Sequence, residues 1–387
     1  MDWKTLFAAL AMVGAACPSH AQEELRIGML TTLSGPAGAV GNEVRDGFML
    51  GVEMAGGKLG GVSTKVIVLD DEQKPDVARK HVERLIQRDK VQVVTGTIFS
   101  NVLMAIHKTA VDSKTLLLSP NSGPTTLSGA GCNQFFFTYG FENTQANLVI
   151  GEYLKRRGIK RIVTIVPNYQ GGKDGVAGLK LTYDGEIVKE LYTGLGQLDY
   201  TTELTEIRAL KPDALFAFMP GGWGISLLKQ YNESGLSKEV PFYSTYTVDE
   251  LSVPVLGDMA LGASTAVTWN EDFDNAANRK FSAAYRAKYG RPPTLGAVQA
   301  FDVAQGIDAA VKARQGKLNN KEALIAELRK ANFASPRGPF QFNINQFPIQ
   351  DWYIAQVVKG PDGKPVLKTK DKVYTQLKDP YAKDCKM

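Results

Sequence analysis

Short runs of Val, Ile, Leu and Phe recur along the chain with amphipathic segments between them, and this alternation most limits the fold. The runs are "LRIGML", "KVIVLD", "VQVVTG", "TLLLSP" and "FFFTY", then "RIVTIVP", "EIVKELY", "ALFAFM" and "PFYST". Apolar runs of this length are expected for strands buried on both faces, as in parallel sheets. Strands alternating with helices mark an α/β architecture. The segment "PDVARKHVERLIQRD" carries Ala78, Val82, Leu85 and Ile86 on one helical face, with Pro75 suited to the first helical turn. The chain has 387 residues. That exceeds what one hydrophobic core usually holds, so two lobes are expected. No repeat at solenoid periods and no low-complexity tract occurs. One stretch near the end, "VVKGPDGKPVLKTKDK", reads as linker-like, with Gly-Pro-Asp-Gly as a hairpin turn.

Residues 1–21 read as an export signal. Lys4 supplies the positive start, "LFAALAMVGAA" the apolar stretch, and Ser19-His20-Ala21 the small-residue cleavage site. The stretch is shorter than the roughly 20 apolar residues that span a bilayer. No later segment reaches that length. A periplasmic protein beginning at Gln22 is expected. Cys17, after "GAA", loosely resembles a lipoprotein site, but the usual Leu three residues earlier is absent. The net charge is +5, with charges of both signs well mixed. No basic stripe with interleaved aromatics occurs, so nucleic acid is not an expected partner. After cleavage two cysteines remain, Cys132 and Cys385. In an oxidising compartment an even pair is expected to be bridged, stapling the C-terminal tail to the body. Two free thiols are the alternative.

In open α/β sheets ligands bind beyond the carboxyl ends of the strands. The first lobe places "TTLSGPAGAVGNE", "GTIFSNV" and "SPNSGPTTLSG" there; the second places "VPNYQGGKDG", "MPGGWG" and "STYTVDE". These segments are rich in Ser, Thr, Asn, Gly and aromatics, and poor in acids, bases and histidine. Of three histidines, His20 lies in the signal, while His81 and His107 fall in helical segments and are expected to be solvated. No Cys/His cluster has metal spacing and no nucleophile motif appears, so neither an enzyme nor a cofactor is expected. The loop "GPAGAVG" lacks the G-x-G-x-x-G spacing, and Pro36 stands where a second glycine would admit a pyrophosphate. Backbone N–H groups at helix starts bind a carboxylate as readily as a phosphate. The loop, with Ser34 in it, is therefore expected to wall a small-ligand site.

The pieces "IGMLTTLSGPAGAVGNEVRDGFMLGVE", "LDDEQKPDVARKHVERLI", "VTGTIFSNV", "LLLSPNSGP" and "NRKFSAAYRAKYGRPPTLGAVQAFDVAQ", in this order, resemble the solute-binding proteins of branched-chain amino acid (Leu/Ile/Val-binding type) ABC transporters. The resemblance covers nearly the whole exported chain. It implies the type I periplasmic binding protein fold: two Rossmann-like lobes with parallel sheets joined by a three-crossover hinge. The implied lobes are residues 22–141 plus 270–346 and residues 142–269 plus 347–387, with the C-terminal tail returning to lobe 1. The crossovers are expected near residues 140–143, 268–271 and 344–348. Tyr139 and Trp269 fall beside them, as hinge packing or as core. A monomer that serves membrane permease subunits is also implied.

By the same resemblance, Ser100, beside Asn101, falls where the family bonds a ligand carboxylate through a hydroxyl. Asn121, Ser122 and Gly123 fall on the loop that meets both ends of the ligand. The chain departs from the amino-acid receptors at several points. Gly123 stands where they have Thr, leaving only its backbone N–H. Tyr246 stands where they place the acid that pairs with the ligand ammonium. Their two second-lobe tyrosines fall near Gly172 and Pro220, with Tyr169 and Trp223 close by. A buried ammonium without a carboxylate costs several kcal/mol, which disfavours an α-amino acid. With Phe99, Tyr169, Trp223 and Tyr246 on facing edges, the expected ligand is a small aromatic carboxylic acid of the benzoate or hydroxycinnamate kind, such as lignin-derived aromatics. This corresponds to an aromatic-acid-binding branch of the family. An amino-acid receptor, a sensory ligand-binding subunit and an exported enzyme are the alternatives.

Overall fold

The apolar runs of the first third form one sheet because each can bury both faces under helices. The computed structural model, which describes residues 24–387, contains β1 (Leu25–Thr31), β2 (Lys58–Leu59), β3 (Val62–Asp70), β4 (Val93–Thr95), β5 (Leu116–Ser119) and β6 (Phe136–Thr138). Their order is β2-β3-β1-β4-β5-β6. Neighbours are parallel except in the β2–β3 hairpin. The expected export signal over residues 1–21, and Cys17 within it, lie outside the described residues. The helix Pro75–Gln87 buries Ala78, Val82 and Leu85, with Pro75 at its start. Ile86 packs against the same core.

The second sheet takes β7 (Arg161–Pro167), β8 (Glu186–Thr193), β9 (Ala214–Phe218), β10 (Phe242–Thr245), β11 (Ser264–Val267), β12 (Gln341–Phe342), β13 (Pro348–Lys359) and β14 (Pro365–Leu377). Its order is β12-β13-β11-β10-β9-β7-β8, with β14 paired to β13. β7 to β11 are parallel, while β13 runs antiparallel to β11, β12 and β14. The linker-like reading of the last stretch is thus corrected. Its Gly-Pro-Asp-Gly does turn a hairpin, closed by Gly360 N–H donating to the Lys364 carbonyl at 2.7 Å. The flanking residues are the ends of two long strands. The first part of β14 alternates half-buried and exposed positions because one of its faces meets solvent.

The chain passes between the sheets three times. It leaves β6 for the helix Gln145–Arg156 of the second lobe and returns after β11 to the helices Ala276–Tyr289 and Leu295–Ala313. It crosses again after the helix Lys321–Arg329 to reach β13. Tyr139 stacks on Phe340 with centroids 5.7 Å apart and meets Phe342 edge-on at 5.1 Å, both on the third passage. Trp269 donates from Nε1 to Asn278 at 2.7 Å. A fully buried ion pair ties two passages together. Arg337 Nε donates to Asp302 at 2.8 Å, its Nη1 donates to Gln350 Oε1 at 2.9 Å, and Gln350 Nε2 donates to the Gly140 carbonyl at 2.9 Å.

Cys132 and Cys385 form a disulfide with Cα atoms 5.6 Å apart. It fastens the tail beside β6, where Asn345 also donates to the Ser128 carbonyl at 2.8 Å. His107 corrects its expectation. Instead of facing solvent, its ring packs edge-on against Phe136 at 5.2 Å, and burial holds its pKa down at about 4.

Candidate functional site

The strand ends of both sheets converge on one cavity. Its lining includes Ile98, Phe99 and Ser100 after β4, Asn121 and Ser122 after β5, and Phe141 and Asn143 from the first passage. The second lobe adds Tyr169 and Gly171 after β7, Phe218 and Pro220 at β9, and Tyr246 with Val248 to Leu251 after β10. The space open to the centre of a water-sized sphere is about 80 Å³. A single water needs roughly 10–15 Å³ on that measure, so the cavity admits more than one solvent molecule.

On the first-lobe side the helix Ser100–Asp112 begins directly after Phe99, which sets the Ser100 hydroxyl at the mouth of the strand. Ser100 Oγ lies 3.0 Å from Ser122 Oγ and accepts a hydrogen bond from Asn143 Nδ2 at 2.9 Å. The second hydrogen of Asn143 Nδ2 goes to Asp174 at 2.8 Å. Gln170 holds Asp174 from the other side at 2.7 Å. Asn143 donates to Ser100, and when Ser122 donates to it as well the Ser100 hydroxyl keeps its own proton to give away. The pair can therefore offer one hydroxyl proton to an anionic group, with no cation needed.

Aromatic rings form a continuous chain along the wall, beside aliphatic residues such as Ile98, Val248 and Leu367. Phe99 meets Tyr169 edge-on at 6.1 Å; Tyr169 faces Phe218 at 6.3 Å. Phe218 meets Tyr246 edge-on at 6.0 Å, and Tyr246 stacks on Phe141 at 4.7 Å. Gly171 is small of necessity, since a Cβ there would lie 2.7 Å from the Tyr169 ring. Tyr246 adopts φ +53°, an unfavourable backbone for a bulky residue, and its buried hydroxyl has no hydrogen-bond partner among the described residues. Outliers of this kind concentrate at functional sites.

Of the residues expected in the site, Phe99, Ser100, Asn121, Ser122, Tyr169 and Tyr246 line the cavity, and Ser34, Asn101, Gly123 and Trp223 do not. Ser34 is exposed beyond β1. The glycine-rich turn behind it meets the other lobe instead, where Gly222 N–H donates to the Pro36 carbonyl at 3.1 Å. Only Val40 from that region reaches the cavity. Asn101 sits half-buried one position past Ser100, on a different face of the helix. The Gly123 N–H is spent on Asn143 Oδ1 at 3.1 Å, and a Cβ there would lie 1.9 Å from the Phe141 carbonyl. Trp223 is buried behind Phe99, with ring centroids 6.0 Å apart.

Sequence reasoning missed Phe141, Asn143, Phe218, Asp249 and Glu250. The last two correct the expectation of a cavity without a partner for a cation, because both line it. Asp249 is committed locally, accepting from the Leu251 and Ser252 N–H groups at 3.0 and 2.8 Å. Glu250 accepts one long bond, from Leu295 N–H at 3.4 Å. Burial first, and the neighbouring Asp249 second, push the Glu250 carboxyl up to about 8. Among the described residues no Lys, Arg or His lines the cavity.

A sequence model of the periplasmic binding protein family matches residues 24–364. The chain belongs to that family. It is thus an ABC-type solute-binding protein, of the kind that takes up small molecules and works with membrane permeases. Among the described residues no helix is long and apolar enough to cross a membrane. "Leu/Ile/Val-binding protein homolog 6" of Brucella melitensis is 24% identical over 370 residues, 93% of this chain and 94% of that protein. The leucine-, isoleucine-, valine-, threonine- and alanine-binding protein of Pseudomonas aeruginosa is 24% identical over 370 residues, 90% and 95% of the two chains. A solute-binding protein from R. palustris in complex with benzoate superimposes with a TM-score of 0.89 at 32% identity, covering 94% of this chain and all of that one. Another, from Rhodopseudomonas palustris BisB5 in complex with 3,4-dihydroxybenzoic acid, has a TM-score of 0.87 at 28% identity, over 92% and 99% of the chains. The two-lobed type I fold of these structures is that of this chain.

Proposed function

We propose that the protein is the periplasmic receptor of an ABC importer and captures a small aromatic carboxylic acid of the benzoate or hydroxycinnamate type. The lobes, split at 141/142, 269/270 and 346/347, close on the ligand about the three passages. The protein acts as a monomeric receptor rather than an enzyme and delivers its ligand to permease subunits without a cofactor.

The observation that carries this reading is the cavity wall: Phe99, Phe141, Tyr169, Phe218 and Tyr246 surround one space, with the Ser100 and Ser122 hydroxyls at its first-lobe side. An aromatic ring in such a wall gains edge and offset contacts worth about 0.5–1.5 kcal/mol beyond burial. The hydroxyl proton that this pair has left to donate suits its carboxylate. The benzoate complex of a 32% identical relative agrees with that chemistry.

A second reading has a specific observation behind it. An ionised Glu250 could pair with the ammonium of an amino acid, as the names of the Brucella and Pseudomonas relatives suggest. In the ligand-free cavity burial holds that carboxyl up at about 8, so pairing it with an ammonium carries the cost of ionising it, which a neutral contact to an aromatic acid does not.

A thermal-shift screen of aromatic acids beside the twenty amino acids separates the two. Binding to the folded state alone adds RT ln(1 + [L]/Kd), about 2.7 kcal/mol at a hundredfold excess over Kd. An aromatic acid should raise the melting temperature and shrink the radius of gyration in solution scattering. Shifts with amino acids alone would refute the proposal.

A further inference from the structure

We propose that Glu250 reads a hydroxyl on the ligand's ring, so that the receptor selects hydroxylated aromatic acids over unsubstituted ones; this rests on the aromatic-acid reading above. The cavity contains two separate polar loci. One is the chain Ser122–Ser100–Asn143–Asp174, which faces the first-lobe strand ends. The other is Glu250, carried by the loop after β10 and facing the start of the helix Leu295–Ala313. No hydrogen bond joins them. Aromatic and aliphatic side chains supply most of the rest of the wall, with Asn121, Thr265 and Thr294 among them. A ligand that satisfies both loci carries a polar group at each end and a ring between them, as a hydroxybenzoate or hydroxycinnamate does.

Glu250 is the cavity carboxyl with capacity to spare. The Asp249 carboxylate caps the short helix Ser252–Leu256 through two backbone N–H groups. Glu250 accepts a 3.4 Å bond from Leu295, at the outer limit of hydrogen bonding, and no bond from another side chain among the described residues. A protonated Glu250 can donate to a phenolic oxygen and accept from a phenolic O–H, and it adds no charge beside the ligand carboxylate.

Ionised, the same group would repel the bound anion in a cavity without cations. The charged groups facing it do not relieve this. Asp249 lies on its own loop. Glu43, on the helix Gly38–Met54, is occupied by Tyr285 at 2.8 Å and by Arg291, which also holds Asp46. Burial pushes Asp249 and Glu43 up as well. Affinity for a hydroxylated acid should therefore fall as pH rises through about 8, the region where Glu250 loses its proton.

The test is titration calorimetry of the exported protein, wild type, Glu250→Gln and Glu250→Leu, with benzoate, 3-hydroxybenzoate and 4-hydroxybenzoate at pH 7 and 9. Circular dichroism confirms that each variant folds. The wild type should prefer at least one hydroxybenzoate over benzoate by roughly tenfold, the size expected when a hydrogen bond to a ligand hydroxyl is lost. In Glu250→Leu that ratio should collapse to about one, and in Glu250→Gln the loss of affinity between pH 7 and 9 should disappear. A hydroxyl preference that survives in Glu250→Leu overturns the assignment, as does a wild type that binds all three acids equally. Both outcomes leave the aromatic-acid reading standing. A wild type that binds none of the three, nor p-coumarate, overturns both.

Discussion

Replacing Ser100 with alanine should separate ligand capture from folding. In the structure the Ser100 hydroxyl sits 3.0 Å from Ser122 Oγ and accepts from Asn143 at 2.9 Å; with Ser122 donating to it, its own proton is free for an incoming carboxylate. A hydrogen bond to a charged group contributes about 1.5–3 kcal/mol. Ser100→Ala should then weaken a carboxylate ligand by roughly 10- to 150-fold in Kd. The loss should be smaller for benzamide, which offers the same ring without the charge. The variant also strands one Asn143 N–H in a buried site, which costs about 1–3 kcal/mol where no water replaces the partner. That lowers the melting temperature of the ligand-free protein by about 2–4 °C per kcal/mol in a chain of 150–250 residues, and by less in a longer one. Calorimetry with benzoate and benzamide reads the first effect; scanning calorimetry without ligand reads the second. An unchanged benzoate Kd, or equal losses for acid and amide, would refute the role of Ser100.

Three further outcomes are expected. Tyr246→Glu should abolish aromatic-acid binding in calorimetry, because it sets a third carboxyl beside an anionic ligand; retained binding would remove Tyr246 from the site. Cys132→Ser should lower the melting temperature under oxidising conditions. The bridge closes a loop across a sequence separation of 253 residues, and the chain-entropy estimate for such long loops is about 4–5 kcal/mol, an upper figure. Two alkylatable thiols in the exported protein would contradict the bridge. Glu142, fully buried beside Asp379 and with one carboxyl oxygen unpartnered, has its pKa pushed well up by burial. The folded state thus holds that proton more tightly than the unfolded chain. Stability falls as pH rises above the unfolded value near 4.5. Glu142→Gln should flatten this fall and raise the melting temperature at pH 8; a steeper fall would reverse the assignment.

The parts legible in the sequence share a physical cause. β1, β4, β5, β7, β9 and β10 are buried on both faces, so their apolar runs stand out. β11, with Ser264 and Thr265 among only four residues, and β14, with one face in solvent, give no such run. Ser100 and Ser122 were legible through the family resemblance, and Tyr169 and Tyr246 because they follow the ends of β7 and β10 within two residues. Phe218 is the last residue of β9 and looks like core. Phe141 and Asn143 lie on a passage between lobes, which loop reading treats as hinge. Asp249 and Glu250 come three and four positions after Tyr246, and the left-handed turn at Tyr246 that helps aim this loop leaves no mark in composition. The spent N–H of Gly123 was likewise invisible, because its partner Asn143 is 20 residues away.

The central claim is tested most directly by stripping the exported protein of bound solute through unfolding and refolding, then titrating it with benzoate, 4-hydroxybenzoate, p-coumarate and leucine. Saturable one-to-one binding of at least one aromatic acid, with no heat from leucine, is the expected result. Tight leucine binding with no response to any aromatic acid would contradict the account.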